Sequence, residues 1–488
     1  MPSSERALES SFDVVVESTL PVPDLDVAVG PNHVMAVNSE GVFAYLKDGT
    51  NLLNVSLGDF FSSLAPVGVP FDPRVLYDEF WNRWVVLAVD IPPGNNDSDL
   101  LLAVSVDGSP VGPYHQVKIG TLLPNFDPDG PGTEPAEPHF AVEPKVGIER
   151  SQIYVTFDMF SVSDIALGGT TVWNIFKWAQ TDPTPLGGLY DGETATIQGG
   201  IRPFSMGNDF DNERSLTPVE IHGEIVGSPA DRGIFLASYG GVQIENRSHQ
   251  ALGDSQVLQI FWITSIGPTV SKMVVPMGQV DDVGGFEDLP PAPQLNGGSS
   301  ITTGQRLISD GVWRQGAMWL VTTVVPPAGV DAGEATAHWM HLDAPSPNTL
   351  ALLEQGDISG DTFVSGAHTY YPSLDVSTAG RVAVGFSVSA PEFELSSAVA
   401  FLGSACNVSG VEVQPTLLRR GTAVWAGGLW GRHSGLDWDS GDCFWVHNAH
   451  PSSGAPSSWT STVGEICFDV GFIFGDGFES GTLAGWCQ

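Results

Sequence analysis

The sequence predicts an all-β fold, a β-propeller of seven blades with six as the alternative. Three observations carry this: a phrase that recurs along the chain, short apolar runs bounded by turn residues, and a near absence of helical periodicity. The clearest copy of the phrase is Phe71 to Asp90, FDPRVLYDEFWNRWVVLAVD. An Asp-Pro opener and a basic residue lead into a short apolar strand, a turn follows, and a β-branched run closes the unit. Looser copies begin near Asp24, Glu143, Ser228, Gln305, Tyr371 and His433. Recurrence of one supersecondary unit at such spacing is the mark of radial repetition. The spacing averages roughly 65 residues, longer than the 40 to 50 of ordinary propeller repeats, so long loops must absorb the excess.

In chain order, Phe12 to Glu17 is a candidate strand ahead of the breaker Pro21-Val22-Pro23, and an orphan strand of this kind closes the last blade of a ring. Residues 1–22 are therefore read as a closing segment, 23–470 as the propeller and 471–488 as a tail. Between them, 57 glycines and 36 prolines supply the turns. The insertions fall at Pro92 to Asp99, Pro124 to Pro138, Ser205 to Gly227 and Val280 to Thr303; loops of that length are functional or mobile.

Acidic residues outnumber basic ones by 57 to 19, and the excess is spread along the chain. That balance opposes binding to a phosphate backbone, so nucleic acid is not an expected partner. No apolar run reaches the roughly 18 residues of a membrane-spanning helix. The four cysteines, Cys406, Cys443, Cys467 and Cys487, lie in the last fifth of the chain with no C-x-x-C spacing, which argues for disulfides over zinc. Cys443 with Cys467 is the preferred pair because both fall on neighbouring strands of one terminal sheet; four buried thiols is the alternative. Disulfides place the protein outside the cytoplasm. Met1 to Ser11 lacks the regions of a signal peptide, so the chain is either a processed form or not exported by that route; processing is favoured, and the expectation is a secreted chain acting as a monomer.

Two stretches match a known pattern. FDPRVLYDEFWNRWVV fits D-P-R-V-x-Y-D followed by R-W-V-V, and EPKVGIERSQIYVTFDMF fits a P-K-x-G-V unit followed by Y-V-T and M-F. GLWGRHSGLDWDSGDCFWVHNAH is similar to a W-G-D-Y-S-G-M unit followed by C-T-F-W, and departs from it at Arg432-His433. On these matches, residues 24 to 468 resemble secreted bacterial β-propeller proteins of sialidase-like appearance. The sialidase Asp-box is absent: Ser105-Val106-Asp107-Gly108 begins like one and then departs from it. FIFGDGFESGTLAGWCQ, from Phe472, resembles a C-terminal tail of exported Gram-negative proteins, which implies a cell-surface or extracellular location.

The basic residues are few enough for their placement to inform. Arg74, Lys145, Arg306 and Arg432 each stand at or beside the start of a proposed inner strand, so a propeller would gather them on one rim. A ring of that kind binds carboxylate or sulfate, and Arg suits a bidentate carboxylate. The structural reading, placed ahead of it, is pairing of each cation with a nearby acid such as Asp72, Glu143, Asp310 or Asp437. His139, His368, Tyr371 and His433 lie next to the ring in sequence and are the candidate acid–base groups for uronate lyase chemistry. Paired acids, Asp72 with Asp78 or Glu137 with Glu143, are the candidates for glycoside hydrolysis. His338 and His341 sit three apart on a strand and so face opposite ways, which is unsuited to one metal. Asn125, Asp127 and Asp129 in NFDPDGPGTE form a candidate calcium loop, and Asp209, Asp211 and Glu213 a weaker one. The leading expectation is an extracellular recognition or scaffold module for an anionic polysaccharide or surface partner. The alternative is a polysaccharide lyase or glycoside hydrolase.

Overall fold

A computed structural model of the chain describes residues 8–126, 137–165, 167–178, 188–192, 215–223, 233–240, 256–264, 270–281, 289–402, 413–427, 429–454 and 457–468. Seven antiparallel sheets stand side by side in chain order. Their inner strands are Asp26–Val29, Phe71–Asp78, Glu137–Ile148, Thr217–Pro218, Ile308–Arg314, His368–Val376 and Gly435–Trp438. Helical pieces among the described residues are single turns such as Leu57–Phe60. The protein is a seven-bladed propeller.

Apolar residues on both faces of the strands explain the continuous runs in the sequence. In Arg83–Asp90, Val85, Leu87 and Val89 pack against the third blade, while Trp84, Val86 and Ala88 pack against the first. Side chains alternate across a strand, so a strand clamped between two blades must be apolar at nearly every position. The core is a ring of such seams. The seventh seam joins the last blade to the first through Trp445 and Val463 against Val27 and Val34.

Ring closure follows the expectation from sequence. Leu8–Ser18 pairs antiparallel with Trp459–Cys467 as the outermost strand of the seventh blade, whose other strands come from the chain's far end. Within that blade Cys443 and Cys467 are directly opposed and disulfide-bonded. Cys406, Cys487 and the tail from Phe472 lie outside the described residues.

The fourth blade departs from the expectation. The phrase near Ser228 leads into Gly233–Gly240, which is the blade's second strand; the inner strand is Thr217–Pro218. It continues as Glu220–His222, which lies parallel on Ile308–Arg314 of the fifth blade. One short segment therefore serves two blades, and neither half is long enough to show a periodicity of its own.

Candidate binding site in the central channel

The recurring phrase has a structural meaning at the start of five of the seven inner strands. Asp24, Asp72, Glu143, Ser215 and Tyr371 all adopt left-handed backbone, with φ of 41°, 48°, 53°, 57° and 54°. For residues with a Cβ this conformation costs about 1–2 kcal/mol each. Register shifts at Phe71/Arg74, Val142/Lys145 and Tyr370/Ser373 mark the same places as β-bulges. A bulge leaves a residue without a ladder partner, and proline, which has no N–H to offer, is tolerated there; Pro73, Pro144 and Pro372 fill the next position. Two residues beyond each left-handed residue, a side chain reaches the central channel: Asp26, Arg74, Lys145, Thr217 and Ser373. Asp310 of the fifth blade and Ser434 of the seventh complete the ring. All seven blades thus line one open space of about 740 Å³.

The acids in this channel have a structural task. An inner strand has a free edge, and its N–H groups need acceptors. Asp26 accepts from Val27 N at 2.9 Å and from Val75 N of the second blade at 3.0 Å. Asp310 does the same with Gly311 N at 2.8 Å and Leu374 N of the sixth blade at 3.0 Å. Asp375 accepts from Val376 N at 2.5 Å and Trp438 N of the seventh blade at 2.6 Å. Asp437 accepts from Val29 N of the first blade at 2.5 Å. Four carboxylates therefore staple neighbouring inner strands around the axis. Burial pushes Asp26 up to about 6 and Asp310 up to about 7, and the backbone hydrogen bonds pull back against that rise.

The four cations singled out by sequence have separate fates. Arg306 is 1% exposed, bound through its guanidinium to Asp281, and is not part of the channel lining. Arg432 is half exposed and ion-paired with Glu143 of the third blade. Lys145 lines the channel, but its ammonium donates to Ser215 Oγ at 2.7 Å, Thr217 Oγ1 at 2.9 Å and Ile308 O at 3.2 Å, which uses all three N–H groups. Burial lowers it to about 8.

Arg74 is the exception. It is 5% exposed, its Nη1 donates to Pro73 O at 2.7 Å, and its Nη2 finds no hydrogen-bond partner among the described residues. Leaving a buried donor unpaired costs about 1–3 kcal/mol, more for a charged group.

Around Arg74 stand Asp24 and Asp72, hydrogen-bonded to each other; burial and the neighbouring carboxylate push Asp24 up to about 7, against the pull of Arg74. His433 lines the same space and is held well below its usual range by burial and by Arg74, Lys145 and Arg432, so it is neutral. Tyr371 sits at this rim with its hydroxyl donating to Thr302 O at 2.7 Å.

The chain matches no family model and no curated protein. Among solved structures it is similar to a protein of unknown function from Dyadobacter fermentans, with 11% identity over 81% of this chain and 94% of that one and a TM-score of 0.42. It is similar to the phage phi92 endosialidase at 8% identity, over 96% and 70% of the two chains, with a TM-score of 0.42. An α-L-arabinofuranosidase from Fusarium graminearum is similar at 9% identity, over 94% and 97%, with a TM-score of 0.37. Likenesses at these scores and identities assign no chemistry.

The remaining candidates lie elsewhere. His139 is buried in the third blade with Nδ1 against Glu137 O at 3.0 Å, and His368 accepts from Ala335 N at 3.1 Å, its pKa lowered by burial to about 4; neither lines the channel. Asp78 is ion-paired with Lys177 at 2.6 Å, and Glu137 accepts from Ser163, so neither joins its proposed partner carboxylate in the channel. His338 and His341 bond separate acids, Asp357 and Glu354. Asn125 is exposed in Leu123–Phe126, while Asp127 and Asp129, like Asp209, Asp211 and Glu213, lie outside the described residues.

Sequence reasoning missed the far end of the channel. There the His222 ring stands 3.1 Å from Asp375 and 3.6 Å from Glu79, joining the second, fourth and sixth blades. Burial opposes the charged ring, but these carboxylates outweigh it and raise His222 well above its usual range. The signal was the acid in six of the seven inner strands, which the search for cations passed over.

Proposed function

We propose that the protein is an extracellular recognition propeller that binds an anionic glycan at the channel mouth marked by Arg74. The observation that carries this reading is the unpartnered, buried Arg74 Nη2 on a rim where the other cations are already committed. The disulfide supports an oxidising, extracellular setting. Dispersal of the acid–base candidates supports binding over lysis: His139 and His368 are buried in separate blades, and only His433 lines the channel.

The test is an array of anionic and neutral polysaccharides, scored for binding and for new reducing ends or unsaturated products. Binding of anionic members without products is the expected result. Cleavage would replace this reading with that of an enzyme, and silence on every glycan would remove it.

A second reading rests on the Asp24 and Asp72 pair. A carboxyl held near pKa 7 beside a cation has the properties of a general acid, which suits a glycoside hydrolase. Reducing ends released by the native chain and lost in Asp24→Asn would establish it.

A further inference from the structure

The reading of the mouth as an anionic-glycan site leaves open how much negative charge it takes. Two features narrow the answer. The chain carries a formal net charge of −38, spread over its length, so a polyanionic strand lying across the rim would meet repulsion from every side. Screening at physiological ionic strength cuts that repulsion beyond about 8 Å, and a single charge that travels down the axis meets the local field instead.

The channel lining carries both signs, with Asp26, Glu220, Asp310 and Asp437 beside Arg74 and Lys145, and the free donor in it belongs to a cation. Arg74 stands within the channel with one nitrogen bound to Pro73 O and the other unpartnered. Lys145 adds a second positive charge and has no N–H left for a ligand. Arg432 is neutralised by Glu143. His433 contributes no charge.

We infer that the mouth takes one carboxylate, presented end-on by an otherwise uncharged saccharide, and that Arg74 Nη2 holds it. This rests on the glycan reading and specifies its ligand as a chain end carrying a single uronate-type acid. A planar carboxylate accepts from a guanidinium with directional hydrogen bonds, which a diffuse polyanion contact does not require.

The groups facing Arg74 make the binding proton-linked. Asp24 and Asp72 share a hydrogen bond beside it, Asp26 lies on the first blade, Asp310 interacts with Lys145 across the channel, and Glu220 and Asp437, both raised by burial, line the same space. Above about pH 7 to 8 Asp24, Asp26 and Asp310 are ionised and offset Arg74, and Lys145 begins to lose its proton. As pH falls toward about 6, Asp24 and Asp310 and then Asp26 take up protons and Lys145 is fully charged. Every one of these changes favours an added anion. His433 stays neutral through this window, and the Arg432–Glu143 pair keeps its balance.

The experiment is titration calorimetry of the full chain with methyl β-D-glucuronide, methyl β-D-glucoside, sodium acetate and a polyuronate. The first two differ in the carboxylate alone. Expected is a preference for the glucuronide of about tenfold or more, as one charge-assisted hydrogen bond provides. Affinity should weaken from pH 6 to 8 by up to about tenfold per unit for each proton taken up, with the uptake visible as a dependence of heat on the buffer's ionisation enthalpy. Arg74→Lys keeps the charge, removes the fork and should lose the preference. The pH and buffer dependence of the native chain stands as a readout should that variant fold poorly.

Equal binding of glucoside and glucuronide overturns the inference and leaves glycan recognition standing. Acetate binding as tightly as the glucuronide keeps the carboxylate site and overturns the glycan reading. A polyuronate that binds more tightly per acid, with affinity falling as salt rises, overturns the single end-on carboxylate. No binding by any of the four overturns both.

Discussion

Arg306 and Arg74 look alike in sequence, each a lone cation at the opening of an inner strand, and the fold treats them oppositely. Arg306 is closed off by Asp281, which also accepts from Tyr239 and the Val325 N–H, so it is part of the frame. Removing one partner of a buried pair leaves the other charge uncompensated and costs about 3–5 kcal/mol. Arg306→Ala should therefore lower the melting temperature clearly while leaving glucuronide affinity unchanged in the fraction that folds. Arg432→Ala, at a half-exposed pair, should cost only about 0–1 kcal/mol. Melting curves and titrations on both variants check this, and an Arg306→Ala chain as stable as the parent would contradict it. The cations were legible in sequence because there are so few of them. Their pairing was not, because Glu143 meets Arg432 from four blades away along the chain and Asp281 stands outside any repeated phrase.

At the scale of the strand, the left-handed start and the carboxylate staple recur around the ring and coincide at Asp26. The left-handed start turns the side chain two residues on into the channel; where that residue is Asp26, it caps the free edge of the next blade, and Asp310 caps the sixth blade from a strand start without that conformation. Asp310→Ala leaves Gly311 N–H and Leu374 N–H without their acceptor, a loss of about 1–3 kcal/mol for each buried group. Asp310→Asn keeps one acceptor oxygen and should recover part of the loss. Urea midpoints in the order native, Asn, Ala are the expected outcome, and equal midpoints would show that the channel hydrates these groups at no cost. The left-handed start explains what the sequence made readable. Acid–Pro–cation openers at Asp72 and Glu143 are conspicuous, since few residues satisfy a left-handed position followed by an unpaired one. Ser215-Leu216-Thr217-Pro218 builds the same bulge from ordinary residues, and so the fourth blade's inner strand was assigned too late in the chain.

The whole ring depends on one non-local pairing. The Cys443–Cys467 bond joins two strands already adjacent within the seventh blade, so reducing it leaves the ring closed. The N-terminal strand Leu8–Ser18 is different in kind, because it brings residues from the start of the chain to the outer edge of the last blade. Phe12 lies across the seam itself, with its ring centroid 4.5 Å from Tyr45 of the first blade and 6.1 Å from Trp445 of the seventh. Asp13 accepts from Thr462, and Ser11 accepts from Arg419 Nη2 of the sixth blade at 2.6 Å. A chain lacking residues 1–22 would lose these ties and expose Trp459–Cys467 as an open edge, a template for pairing with another copy. Its melting temperature should fall by several degrees and become dependent on protein concentration, with association visible by light scattering. A peptide spanning residues 8–18 should restore the melting temperature when added in excess, by mass action on the closed form. A truncated chain that melts with the full one and stays monodisperse would show that the seam between Val27, Val34, Trp445 and Val463 closes the ring unaided.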